Sequence, residues 1–175
     1  MLQEWTVEEY NRRADWFRAR PRALAVLMAL YRVLPVCYIA TFPLLPWLLW
    51  QRDADTWHPW ARPLGALAAC LLVLISGSLL RHFLNFPRPY QQPGFRALAQ
   101  KQKQGHSFPS RHAFAASVIG VAWWYYHPLC GALSLLLALA LCVTRVLAGV
   151  HYLRDVLAGF TYGALVGWFI LFVLL

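Results

Sequence analysis

Residues 129–150 read LCGALSLLLALALCVTRVLAGV, and their only formal charge is Arg145. The hydrocarbon core of a bilayer is about 30 Å thick, so about 20 apolar residues in a helix rising about 1.5 Å per residue cross it. The stretch therefore reads as a membrane span, and its neighbours repeat the pattern. Residues 156–175 form another apolar run, as do 63–80, which end at Arg81. Residues 110–126 are shorter but close on Trp123, Trp124, Tyr125 and Tyr126, aromatics suited to a membrane interface. Residues 23–50 are apolar apart from Arg32 and are interrupted by Pro35, Pro43 and Pro46. That run predicts one long or kinked crossing, being too short for two. The segments 51–60 and 85–109 and the pair His127-Pro128 supply polar or Pro/Gly-rich connections.

The expected fold is all-α: a polytopic membrane helix bundle of about five transmembrane helices in a single domain, residues 1–175. Residues 1–22 mix Trp5, Tyr10, Trp16 and Phe17 with Arg12, Arg13, Arg18, Arg20 and Arg22, a composition suited to a helix lying in the membrane interface or, failing that, to a solvated basic arm. Composition agrees with the membrane reading. Sixty per cent of the 175 residues are hydrophobic and 13% charged, against about 45–50% and about 25% in soluble domains. Soluble, disordered and disulfide-scaffold classes are excluded. Cys37, Cys70, Cys130 and Cys142 lie scattered in apolar runs and read as small buried hydrophobes. Gly159, Gly163 and Gly167 form a four-residue ladder suited to close helix packing.

Charge narrows the chemistry. A formal net charge of +9 points to anionic partners, in a membrane protein lipid head groups or phosphate substrates rather than nucleic acid. From residue 56 onward the sole carboxylate is Asp155. A paired-carboxylate glycosidase and a carboxylate-held Mg²⁺ site both need more acids than that, so neither a metal nor another cofactor is expected.

Alternating spans put the segments 81–111 and 145–155 on one side of the membrane, and the unusual polar residues gather there: Arg81, Arg88, Ser110, Arg111, His112, Arg145, His151 and Asp155. Ionisable groups at such positions are a functional hypothesis by default. Asp155 follows His151 by four residues, which on a helix gives both one face. A carboxylate on one imidazole nitrogen fixes the tautomer and makes the other a better base or nucleophile. His112 adds a second imidazole for acid–base work. Guanidinium groups match phosphate oxygens in pairs, and Ser110 with the following helix start can bind an anion. The constellation suits hydrolysis of a phosphate ester or anhydride through a phosphohistidine. Taken singly, the arginines also suit snorkelling anchors, and the His–Asp pair a local hydrogen bond.

Three motifs carry a resemblance to a known family. Arg81-HFLNFP-Arg88-Pro89, Pro109-Ser110-Arg111-His112 and Thr144-Arg145-VLAGV-His151-YLR-Asp155 match the spacing of K-x6-R-P, P-S-G-H and S-R-x5-H-x3-D. The chain thereby resembles the type-2 phosphatidic acid phosphatase superfamily of membrane lipid phosphatases over residues 81–155. The resemblance implies His151 as nucleophile, Asp155 as its partner, His112 as acid to the leaving group, and phosphate contacts from Arg81, Arg88, Ser110 and Arg145. Arg81 stands where the family has lysine, Thr144 where it has serine and Arg111 where it has glycine, and Arg111 is expected among the substrate-binding residues. The run SFPSRHA is similar to SFPSDHA in small bacterial undecaprenyl diphosphate phosphatases, which implies a polyprenyl diphosphate substrate. Phosphatidic acid, phosphatidylglycerophosphate and phosphoryl transfer to another acceptor are the alternatives, with a non-catalytic anionic-lipid transporter or binding protein as the rival outside enzymes. Counting Lys and Arg by the positive-inside rule puts the site in the cytoplasm. Arginines held there by chemistry weaken that count, and the resemblance implies the outer face of the inner (cytoplasmic) membrane, so the expected site is periplasmic or extracellular. The oligomeric state stays open.

Overall fold

The computed structural model describes residues 5–99 and 103–174, and every regular element among them is helical. Helix α1 spans Val7–Arg18, α2 Pro21–Thr41, α3 Leu44–Asp53, α4 Ala61–Leu84, α5 Arg111–Tyr126, α6 Pro128–Leu147 and α7 Leu153–Phe169, which continues as a π-helical turn over Ile170–Leu174. The long first apolar run is indeed broken. Its helix stops at Thr41 and resumes at Leu44, around Pro43, which lacks an N–H to continue the ladder.

Four helical segments among the described residues are long and apolar enough to cross a membrane: Pro21–Asp53, Ala61–Gln91, Pro128–Leu147 and Leu153–Leu174. The sequence alone predicts five. The fifth, α5, has 16 residues and is about 24 Å long at the usual rise, short of the hydrocarbon thickness. Its place in the bundle explains why. Phe114, Val118 and Ala122 are fully enclosed, and α5 packs against α2, α3, α4, α6 and α7. It is the core of the bundle, sheltered by its neighbours. The outer helices expose Val26, Ile39, Leu72, Ile75, Leu136 and Leu165, an apolar belt suited to lipid. Cys37 also faces outward, while Cys70 and Cys142 are buried; α2 contacts the bundle along one stripe, and residue 37 falls off it.

The glycine ladder sets the α5–α7 spacing. A Cβ at Gly159 would come within 2.6 Å of the Ser110 carbonyl, and one at Gly163 would collide with the Phe114 carbonyl and the Ser117 hydroxyl. Small residues let two helix backbones approach this closely. The start of α7 is thereby held against the start of α5, where Ser110 N–H donates to the Asp155 carbonyl at 2.8 Å.

Helix α1 docks on protein at this same end. Tyr10 stacks on Phe95 with centroids 4.2 Å apart, and its hydroxyl donates to the Leu147 carbonyl at 3.0 Å. Asn11 donates to the Gly94 carbonyl and accepts from the Arg96 N–H, each at 2.9 Å. One face of the basic arm is thus fixed to residues 94–98, while Trp16 on another stays half exposed.

Candidate functional site

The C-terminal turns of α4 and α6 and the N-termini of α5 and α7 meet at one end of the bundle. With the loop after α4 they surround an open cavity of about 640 Å³, whose lining includes Arg81, Arg88, Arg111, His112, Arg145 and His151. All three motifs therefore converge, although Arg81 and His151 stand far apart in the chain.

His151 reaches the cavity from a turn. Gly149, at φ +78°, ends α6 in the left-handed region, which glycine adopts without Cβ strain. His151 then precedes Tyr152, the N-cap of α7. The expectation of one shared helical face is corrected here, since Asp155 is the third residue of α7 and His151 lies outside the helix. The pairing itself forms because the carboxylate bends back over the helix start. Asp155 Oδ2 accepts from the Tyr152 N–H at 3.1 Å and lies 3.4 Å from His151 Nδ1. A helix N-terminus has unpaired N–H groups and favours an anion, so one side chain both caps α7 and orients the imidazole.

A third residue completes this group. Ser107 donates its hydroxyl to Asp155 Oδ2 and lies 3.4 Å from His151 Nδ1. Ser107 and Asp155 are fully buried. Within SFPSRHA, Ser107 has no role legible from sequence, because its partner is 48 positions away. Burial pushes His151 below the ordinary histidine value; Asp155 opposes the shift, while Arg88 and Arg81 add to it. The imidazole is therefore biased towards its neutral form.

The arginines are held by carbonyl oxygens. Arg81 Nη1 donates to Pro109 O at 2.7 Å and its Nη2 to His106 O. Arg88 Nε donates to Gly105 O at 2.9 Å, and its Nη2 to His106 O at 3.5 Å. Arg145 Nη2 donates to Tyr31 O at 3.2 Å, with its guanidinium 4.1 Å from the Tyr31 ring centroid. Carbonyls fix these groups without neutralising them, so positive charge is retained for an anion. The geometry depends on an unusual loop in which Gly105 and His106 take φ of +61° and +51°, and the Asn85 side chain accepts from the His106 N–H at 3.2 Å.

Ser110 is the N-cap of α5, yet its buried hydroxyl makes no cap hydrogen bond and has no hydrogen-bond partner among the described residues. Arg111 is the exposed first residue of α5 and lines the cavity. A cation opposes the field at a helix N-terminus, a disadvantage that a bound anion would reverse. His112 lines the same cavity, half-buried.

The remaining polar residues near the spans separate cleanly. His82 and His106 also line the cavity, with rings stacked at 5.5 Å. His106 contributes its carbonyl to two arginines. The Thr144 hydroxyl donates to its own helix at Leu141 O, 2.7 Å. His127 caps α6, its Nδ1 accepting from the Leu129 N–H at 3.3 Å, and His58 packs near Trp60. Arg32 is exposed on α2. Lys103 lines the cavity, whereas Lys101 lies outside the described residues. Among the described residues no three His, Cys, Asp or Glu side chains form a group able to hold a metal ion.

A model of the PAP2 superfamily matches residues 62–174. Over 105 residues the chain is 30% identical to sphingosine-1-phosphate phosphatase 1 of Mus musculus, a match covering 55% of this chain and 24% of that protein. Over 65 residues it is 40% identical to the bacitracin transport permease protein BcrC of Bacillus licheniformis, covering 37% and 32%. The matches thus span 24% to 32% of the length of these curated relatives. Among solved structures it resembles the PAP2 type phosphatidylglycerolphosphate phosphatase of Bacillus subtilis, with a TM-score of 0.61 and 21% identity over 86% of this chain and 76% of that one. It also resembles LpxE of Aquifex aeolicus, with a TM-score of 0.56 and 21% identity over 85% and 93%.

Proposed function

Because the chain belongs to the PAP2 superfamily, we propose that it is an integral membrane phosphatase that hydrolyses a lipid phosphate or diphosphate, undecaprenyl diphosphate above all, through a phosphohistidine on His151. The observation that carries this reading is the buried Ser107–Asp155–His151 group opening onto a cavity lined by carbonyl-held arginines. Anion binding alone needs the arginines and has no use for an oriented imidazole.

Asp155 takes the Nδ1 side of His151, leaving Nε2 to attack phosphorus. The P–Nε2 bond forms as the bond to the leaving oxygen breaks, and His112 gives that oxygen its proton. Water then attacks the phosphohistidine, His112 takes a proton from it, and the P–N bond breaks to release phosphate. Arg81, Arg88 and Arg145 spread the charge developing on the equatorial oxygens, with the Ser110 hydroxyl and the N–H groups of the first turn of α5 beside them. No step needs a metal ion. Arg111 adds a cation at the rim, which favours a diphosphate over a monoester.

The named activities of the relatives include sphingosine-1-phosphate and phosphatidylglycerolphosphate dephosphorylation, so a lipid phosphomonoester is the second reading. We place the site on the periplasmic or extracellular face of the inner membrane. Phosphate release by the purified protein tests the substrate, with farnesyl or undecaprenyl diphosphate compared with phosphatidic acid in one detergent. The diphosphates should be cleaved faster, and equal or reversed rates would refute that preference. His151→Ala should abolish turnover while still binding vanadate; phosphate release at the wild-type rate would overturn the mechanism.

A further inference from the structure

The turn that delivers His151 is braced by a helix outside the region matched by the family model. At the end of α6 the Thr144, Arg145 and Val146 carbonyls accept from the N–H groups of Ala148, Val150 and Gly149. The next carbonyl, Leu147, takes the hydroxyl of Tyr10 from α1 at 3.0 Å. That hydroxyl also accepts from the Leu98 N–H at 3.3 Å, so one oxygen ties the end of α6 to the loop after α4. One position further, the Ala148 carbonyl accepts from the Ala99 N–H at 3.1 Å. Gly149 comes next, at φ +78°. Glycine supplies this conformation but does not secure it, because it visits both signs of φ about equally readily. The packing secures it. A Cβ at Gly149 would collide with the Tyr10 hydroxyl and ring and come within 3.0 Å of the Phe95 ring, which is itself stacked on Tyr10. Tyr10 is 3% exposed. Together with Gly149 and His151 it lines a space of about 30 Å³, which leaves the turn little slack.

We propose that Tyr10 is a positioning residue for His151: its hydroxyl and ring lock the Leu147–Gly149 turn and so set where the imidazole stands against Asp155 and the cavity arginines. Helix α1 is then a working part of the site, reaching it through backbone and never touching the phosphate. The role rests on the phosphohistidine chemistry proposed above and extends it to a helix that the motifs do not include.

Tyr10→Phe keeps the ring on Phe95 and Gly149 and removes the bridge between Leu147 and Leu98. Asn11→Ala is the matched control, because Asn11 holds the same loop at Gly94 and Arg96. Both should melt below the wild type, each having lost hydrogen bonds to the loop. Turnover of a soluble aryl phosphate by the purified full chain separates them. In Tyr10→Phe kcat should fall about tenfold or more, since displacing a reacting group by about 1 Å can cost about a hundredfold. KM and the inhibition constant of inorganic phosphate should stay within about twofold, because the arginines are untouched. In Asn11→Ala kcat should also stay within about twofold of the wild type. Amide hydrogen exchange over residues 147–151 reads the turn without any turnover and should quicken by up to about tenfold in Tyr10→Phe alone. Unchanged exchange there, or an equal loss of kcat in Asn11→Ala, would overturn the positioning role. Wild-type kcat in Tyr10→Phe beside an inactive His151→Ala would overturn it too, and leave the nucleophile standing. Full activity in His151→Ala would overturn the nucleophile and the role of Tyr10 with it.

Discussion

Replacing Ser107 by alanine removes one atom from the buried group and gives the most direct test of how that group works. Asp155 is fully enclosed, and its Oδ2 receives the Ser107 hydroxyl, the Tyr152 N–H and the Nδ1 edge of His151. A hydrogen bond to a charged group contributes about 1.5–3 kcal/mol, and water cannot easily replace the donor in a closed site. Ser107→Ala should therefore destabilise the protein by about that amount. It should also move a pH limb. The proposed nucleophile, His151, can attack only when neutral, and its lowered pKa keeps it neutral below the ordinary value near 6.5. The acid limb of kcat/KM, which reports the free enzyme, is thus expected below about pH 6.5 in the wild type. With Ser107 gone, the carboxylate has one donor fewer and stabilises protonated His151 more strongly. The His151 pKa rises, and the limb shifts to higher pH by up to about 1–2 units, taking 1.36 kcal/mol per unit as the upper bound. Chemical unfolding in detergent and kcat/KM on a soluble aryl phosphate between pH 4 and pH 9 (values about two units either side of the limb) provide both readouts. An unchanged unfolding midpoint together with a limb that stays put or moves to lower pH would refute the reasoning.

Gly163→Leu should cost about 3 kcal/mol or more, since even a Cβ at this position meets backbone and hydroxyl oxygen of α5; wild-type stability in the same unfolding assay would contradict the close α5–α7 contact. Phosphate release should persist after dialysis against EDTA, and activity that returns only with added divalent ion would disprove a metal-free route. A single cysteine at Gln104, an exposed position on the cavity wall, placed in a background lacking the four native cysteines, should react with a membrane-impermeant maleimide on intact spheroplasts. Labelling only after lysis would put the cavity in the cytoplasm.

The membrane bundle and the gathering of Arg81, Arg88, Arg111, His112, Arg145 and His151 at one end of it were legible from the residues because both are written locally. A run such as 129–150 cannot be soluble whatever surrounds it, and Arg145, His151 and Asp155 advertise themselves as polar groups beside apolar spans. What packs against what is a different quantity, since it depends on contacts between residues far apart in the chain. Residues 110–126 read as another span by composition, and only their enclosure by five other helices shows α5 to be the central one. The four-residue spacing of His151 and Asp155 predicts the pairing but assigns it to a helix. The left-handed turn at Gly149 and the cap of α7 decide the geometry. Ser107 and Tyr31 carry no short-range signal, because Ser107 acts on a carboxylate 48 positions later and Tyr31 on an arginine 114 positions later. Chemistry at a site belongs to side chains and can be read one residue at a time; the supports that aim those side chains exist only after distant helices have packed.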